Sequence, residues 1–239
     1  MITVQNLTKH FGDKKAVNDV SFNVNDGEIF CLIGPNSAGK STIVKSIIGL
    51  LEPTSGEILV NGKSVLKHPE QTKKEVGYIP DEPAIWPSMT GEEFIYFTQS
   101  LYGIKENSRK KDLSELLLPF HLSGLEKDYF ENYSRGNKQK FSIMAAFSHK
   151  PKVLLVDEPI VGLDPLGAEI AKKMFSEFAK DGGSLLLVTH TLSVAEEISH
   201  RIGFLKNGKL AAVGTISELR KQAGVREEAS LEEVYQKLA

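Results

Sequence analysis

The stretch that most constrains this chain is Gly34-Pro35-Asn36-Ser37-Ala38-Gly39-Lys40-Ser41-Thr42, which fits the pattern G-x-x-x-x-G-K-[ST]. It follows a segment read as a strand, Glu28–Ile33, whose run Ile29-Phe30-Cys31-Leu32-Ile33 is apolar. It precedes an apolar-periodic segment, read as a helix from about Lys40 to Leu50. In that setting each residue type has a chemical reason. Glycines let backbone N–H groups approach an anion closely, and the helix N-terminus adds its dipole. Lys40 supplies a point charge for the β- and γ-phosphates of a nucleoside triphosphate, and the Ser41 hydroxyl is suited to ligate Mg²⁺.

A second element reads Val153-Leu154-Leu155-Val156-Asp157-Glu158-Pro159, an apolar strand ending in two carboxylates. Ligands of α/β sheets gather at the carboxyl ends of strands. Strand alternation predicts that the two acids face opposite ways and divide the work. Asp157 then fits the Mg²⁺ side, and Glu158 the group that orients or deprotonates a water. A third strand, Leu186-Leu187-Val188-Thr189, ends at His190, which a neighbouring parallel strand would bring beside the carboxylates.

The rest of the chain is consistent with an α/β frame. Val17–Val24 alternates and runs into Asp26-Gly27, read as a hairpin turn; Glu57–Val60 runs into Asn61-Gly62, a second hairpin signal. From Thr90 to Lys150 the texture becomes helical: Phe94, Phe97 and Leu101, then Leu113, Leu116 and Leu117, recur at helical spacing, and Thr90-Gly91-Glu92-Glu93 is an N-cap signal. The division expected is a nucleotide-binding core of residues 1–89 and 151–239 with an inserted helical subdomain, 90–150. Arg109-Lys110-Lys111-Asp112 reads as a solvated loop or helix start. Further on come a helix from Glu169 to Lys180, strands at Ser184–Thr189 and Ile202–Leu205, a tight turn at Asn207-Gly208 and two short helices. Leu231, Val234, Tyr235 and Leu238 form one face of the last, read as docked.

Composition excludes several classes. With 29 Lys+Arg against 31 Asp+Glu in 239 residues, the net charge is −2 and there is no broad basic footprint for nucleic acid. The one cysteine, Cys31, cannot form an intrachain disulfide and reads as a buried thiol. No apolar run approaches the ~18 residues of a membrane span, and the N-terminus lacks a signal-peptide pattern.

With these motifs in this order, the chain resembles the ATP-binding cassette ATPases, the nucleotide-binding subunits of ABC transporters, over nearly its whole length. Tyr133-Ser134-Arg135-Gly136-Asn137-Lys138-Gln139 resembles their Leu-Ser-Gly-Gly-Gln signature. The resemblance implies a P-loop NTPase fold of the ABC type: a mixed, largely parallel sheet, an N-terminal antiparallel β-subdomain and an inserted α-helical subdomain. It implies ATP and Mg²⁺ as ligands. It also implies a head-to-tail dimer with a second cassette, identical or a paralogue, in which Ser134, Gly136 and Asn137 cap ATP held by the opposing phosphate loop.

Asp164, in Ile160-Val161-Gly162-Leu163-Asp164-Pro165, then matches the residue linking the two sites. His190 matches the switch histidine, Phe11 the aromatic that stacks on adenine, and Val17 an apolar neighbour of that ring. Asp81, in Gly77-Tyr78-Ile79-Pro80-Asp81-Glu82-Pro83, stands where the family usually has a glutamine near Mg²⁺ and water. Ser37 replaces a common glycine, and Arg135 and Asn137 depart from the signature. Pro80-Asp81-Glu82-Pro83 and the signature variant are most similar to ABC-2 and Ecs-type exporter ATPases. The implied partner is a separate transmembrane permease, with this chain cytoplasmic and peripheral on the inner face. Ile85-Trp86-Pro87-Ser88-Met89 is the expected coupling surface, Trp86 being either a packed anchor or a partner anchor. An importer subunit and a regulatory or non-transport cassette remain the alternative readings.

Overall fold

Strands fully buried on both faces belong in the middle of a covered parallel sheet, and the computed structural model, which describes residues 1–239, places them there. The N-terminal strands are β1 (Ile2–Phe11), β2 (Lys14–Val24) and β3 (Ile29–Ile33). Helix α1 (Lys40–Ile47) follows, then β4 (Ser55–Val60), β5 (Lys63–Ser64), α2 (Pro69–Glu75) and β6 (Val76–Ile79). The helical stretch holds α3 (Gly91–Leu101), α4 (Glu106–Leu117) and α5 (Arg135–Phe147). Strand β7 (Val153–Asp157), α6 (Pro165–Lys180), β8 (Ser184–Thr189), α7 (Leu192–Ile198), β9 (Arg201–Lys206) and β10 (Lys209–Gly214) come next, and α8 (Ile216–Ala223) and α9 (Leu231–Leu238) finish the chain.

Two sheets result. One is antiparallel, in the order β2-β1-β4-β5; the other has the order β10-β9-β3-β8-β7-β6 and is parallel except for the edge strand β10. Alternation along β3 divides the core. Phe30 and Leu32 join α1 and the antiparallel sheet in one apolar cluster. Ile29, Cys31 and Ile33 face the other cluster, which holds Phe175 of α6, Val194 of α7, and Leu231 and Val234 of α9. The terminal helix is thus docked, with Tyr235 edge-on to Phe204.

Three local expectations change. Asp26-Gly27 does turn the chain, with Gly27 at φ 75°, but it joins different sheets instead of a hairpin. Strand β3 is buried on both faces and belongs centrally, whereas β2 alternates in burial and pairs with β1. Helix α6 starts at Pro165, four residues before Glu169, because Pro at the first helical position costs no hydrogen bond. Arg109–Asp112 lies inside α4, where Arg109 donates back to the Ile104 carbonyl. The Asn61-Gly62 turn does join a hairpin, β4 to β5, and Asn207-Gly208 joins β9 to β10.

Thr90 caps α3 in a reciprocal capping box with Glu93. Phe130 forms the centre of an aromatic cluster with Phe94, Tyr133 and Phe141. Through Phe141, Ile143 and Met144 of α5, the stretch 90–150 shares its apolar cluster with β7 and β8.

Candidate active site

The site lies at the carboxyl ends of β3, β7 and β8, neighbouring strands in the order β3-β8-β7. The β3 end releases the phosphate loop. Ser37 adopts φ 70° and Gly39 φ 109°, the left-handed region that costs a side chain roughly 1 kcal/mol or more. The loop is held from behind. Gly208 donates its N–H to the Ala38 carbonyl, and Ala38 to that of Pro35. A Cβ on Gly39 would come 2.5 Å from the Ala16 carbonyl oxygen, and one on Gly34 would collide with that of Leu205. The β9–β10 turn is therefore a buttress of the loop, which sequence reasoning missed because the contact is long-range.

Helix α1 then opens with no side-chain cap and no acid in its first turn. Its leading N–H groups thus have no protein side chain to satisfy them, an arrangement suited to an anion. Lys40 is buried, its Nζ donating to the carbonyls of Gly34 (2.6 Å) and Pro35 (3.1 Å). Burial lowers its pKa, opposed by the charges of Glu158 and Asp157.

A hollow of about 260 Å³ lies over this loop, lined by Phe11, Lys14, Ala16, Asn36, Ser37, Gly39, Lys40, Ser41 and Thr42. Phe11 is 50% exposed with Lys9 Nζ 5.3 Å from its ring centre, an aromatic face open to a stacking partner. Val17 does not share that role. It is fully buried in the core behind the loop, and Ala16 and Lys14 are the residues that line the hollow beside Phe11. The pleat of β2 is the reason: Val17 turns inward where its neighbour Ala16 turns out.

The β7 end carries the acids. Asp157 is 8% exposed. Its carboxyl is pushed up to about 6, first by burial, then by the charges of Glu158 and Asp81, against Lys40. A third carboxylate, Asp81, thus sits within electrostatic reach on the loop after β6. Glu158 departs from the expected alternation: it has left the strand, at φ 48°, and its backbone N–H donates to the Val188 carbonyl. Its side chain lies along the end of β8. Oε2 accepts from the Thr189 hydroxyl (2.8 Å); Oε1 accepts from the His190 N–H (2.8 Å) and lies 2.6 Å from His190 Nδ1. Glu158 and His190 are brought together as expected. Thr189 was not singled out, since nothing local marks a strand-end threonine.

The signature stretch forms a different surface. Ser134 caps α5, accepting from the Asn137 N–H (3.2 Å), and no residue of the stretch lines the hollow over the phosphate loop. Within this chain it packs on the loop after β7. A Cβ on Gly136 would come 2.7 Å from the Gly162 carbonyl oxygen, and the Arg135 side chain lies against Gly162. Gln139 Nε2 donates to the Pro159 carbonyl (3.3 Å), and Lys140 pairs with Asp164 (2.9 Å), holding that carboxyl below its usual range.

Anion-ready backbone, buried lysine and clamped carboxylate together describe a site for phosphoanhydride chemistry, and comparison with known proteins agrees. The ABC transporter family model matches residues 17–161. The chain belongs to the ABC transporter family, among its ATP-binding subunits. The cassette is 37% identical over 238 residues to the ABC-type transporter ATP-binding protein EcsA of Bacillus subtilis, spanning 100% of this chain and 96% of that protein. It is 34% identical to the linearmycin resistance ATP-binding protein LnrL of the same organism (94% and 72% covered). With the lantibiotic transport ATP-binding protein SrtF of Streptococcus pyogenes it shares 31% identity (88% and 89%). Among solved structures, an ATP-binding subunit of an ABC transporter superposes with a TM-score of 0.94 at 36% identity, covering 100% and 99% of the two chains. A dimeric cassette, MJ0796, gives 0.82 at 25% identity, covering 90% and 98%.

Proposed function

We propose that this cassette hydrolyses ATP within a dimer of cassettes and uses the cycle to drive a separate membrane-spanning permease, in the direction of export. The observation that carries the hydrolytic part is the convergence of the Lys40 loop with the clamped Glu158 and His190 on three neighbouring strand ends. Phe11 stacks on adenine. The backbone of Gly34 to Thr42 and the Lys40 ammonium hold the phosphates. The donor set also fits a divalent cation held jointly with phosphate: the Ser41 hydroxyl and Asp157, with Asp81 as a second carboxylate. A hydroxyl and one or two carboxylates beside substrate phosphates is the pattern in which Mg²⁺ is bound. When bound, Mg²⁺ neutralises phosphate charge.

In the reaction, Glu158 orients a water and accepts its proton as the water oxygen attacks the γ-phosphorus. The bond to the β–γ bridging oxygen then breaks, leaving ADP and phosphate. His190 holds Glu158 and donates a hydrogen bond to the γ-phosphate or the attacking water. Ser134, Gly136 and Asn137 present a capped helix end to the ATP of the opposing subunit, and Asp164 joins the two sites.

Support for a permease partner is an apolar groove of about 450 Å³ between the β6 end and the helical stretch. Tyr78, Pro80, Ala84, Trp86, Phe97 and Leu101 line part of it. Trp86 is 54% exposed and edge-on to Phe97, so it is a shelf on the groove rather than a core anchor. No helix of the chain is long and apolar enough to cross a membrane, so the reading places the cassette on the inner face, held by that partner. Export rests on the signature and Pro80–Pro83 sequences and on relatives named for lantibiotic transport and linearmycin resistance.

The test is a tagged pull-down from detergent-solubilised membranes of wild type and Trp86→Ala. A polytopic membrane protein is expected with wild type and lost with the variant, while soluble ATP hydrolysis persists. Undiminished recovery with Trp86→Ala contradicts the groove. A permease that also recruits a solute-binding protein reverses the direction, and only soluble partners contradict transport.

A further inference from the structure

Apart from the turn bond its carbonyl accepts from the Val161 N–H, Glu158 makes four hydrogen-bonding contacts, and these are with three consecutive residues at the end of β8. Two use main-chain groups of Val188 and His190. A third is the His190 ring, whose side chain is 60% exposed. The fourth is the Thr189 hydroxyl, from a residue only 3% exposed. It is the sole donor to Oε2, whereas Oε1 has two partners on His190. With Oε1 held alone, the carboxylate plane still turns about its last torsion; with Oε2 also held, it does not.

The hydroxyl is itself directed. Thr189 Oγ1 accepts the Thr191 N–H at 3.0 Å, which leaves its single hydrogen for Glu158. Its strand position matters equally. In the parallel register Thr189 stands opposite Ile33, the last residue before the phosphate loop. On the other side β8 pairs with β7, where Val188 stands opposite Asp157. One hydroxyl on the shared central strand therefore sets the carboxylate in place relative to the loop that holds the phosphates.

We propose that Thr189 is the positioning residue for Glu158, fixing the carboxylate plane through Oε2 so that the attacking water is aimed at the γ-phosphorus. This rests on the reading of Glu158 as the water-activating group. A charge-assisted hydrogen bond in a buried site is worth more than a neutral one. Its loss should appear in turnover and not in ATP affinity, which belongs to the β3 loop.

The experiment is steady-state ATP hydrolysis by the full chain for wild type, Thr189→Val, Thr189→Ser, Glu158→Gln and the Val/Gln double variant, with melting temperatures for all. Thr189→Val is expected to lower kcat on the order of tenfold with KM for ATP within about twofold. Thr189→Ser, which keeps the hydroxyl, restores most of it. In the Glu158→Gln background, Thr189→Val lowers the residual rate no further, since the partner carboxylate is gone. A wild-type kcat for Thr189→Val, with Glu158→Gln inactive, overturns the inference and leaves the Glu158 reading standing. A loss that serine does not rescue, or that persists in the Glu158→Gln background, makes Thr189 structural only and overturns it too. Rapid hydrolysis by Glu158→Gln removes the reading and the inference with it.

Discussion

Two turns leave the same edge of the central sheet and solve different problems. The turn after β3 presents main-chain groups: its working parts are N–H donors, and its glycines exist because carbonyls of Ala16 and Leu205 press against it. The turn after β7 presents side chains: Glu158 is held by β8, and Asp164 and Gly162 by α5. A main-chain cradle must be written in consecutive residues, because the peptide itself is the ligand. A side-chain site can borrow its supports from anywhere in the chain.

Replacing Lys40 should show the largest effect. Lys40→Ala removes the one buried cation of the first turn and should weaken ATP binding about a hundredfold or more, read by calorimetry, with the fold intact by circular dichroism. Near-wild-type affinity would break the distinction, because the main-chain donors alone would then suffice.

The β7 turn predicts a stability effect of opposite sign. In the protein free of nucleotide and cation, burial and the charges of Glu158 and Asp81 push the Asp157 carboxyl up to about 6 from an ordinary 3.8. Between those values the folded state holds a proton that the unfolded state has lost. Stability therefore falls as pH rises through that window, and above 6 the cost is complete. Asp157→Asn should raise the melting temperature at pH 7.5, by on the order of 2 kcal/mol of stability, and match wild type near pH 4. An equal or lower melting temperature at pH 7.5 would mean that burial of Asp157 carries no such cost.

The smallest effect belongs to Ser37, at φ 70° in the β3 loop. Ser37→Gly should relieve backbone strain and stabilise by up to about 1 kcal/mol, partly offset by the greater freedom of glycine when unfolded. Urea denaturation measures it; destabilisation would show that the serine side chain supports the loop.

The same contrast explains what the sequence made legible. The phosphate loop, the strand-end acids and the Asn-Gly hairpins could be read because spacing and turn chemistry are local. Helix α2 could not be read, since Thr72 is its only buried residue and it has no apolar stripe. The Asp26-Gly27 turn misled because turn residues do not say which sheet comes next. Alternation does not describe Glu158, which has left the strand with a left-handed backbone, its N–H bonded to the Val188 carbonyl one strand away. It would have set Val17 aside, since that residue points inward beside an outward Ala16. Gly136, expected to face the ATP of a second subunit, also packs on Gly162 of its own chain, as does Arg135, which the sequence marked only as a departure from the signature.

The most direct measurement of the central claim is the solution mass of Glu158→Gln by light scattering, with and without Mg·ATP. If the two turns form a hydrolytic site that an opposing signature helix completes, the variant binds ATP without cleaving it and shifts from monomer to dimer only when Mg·ATP is present. A monomer with ATP bound, or rapid hydrolysis by the variant, would contradict the account.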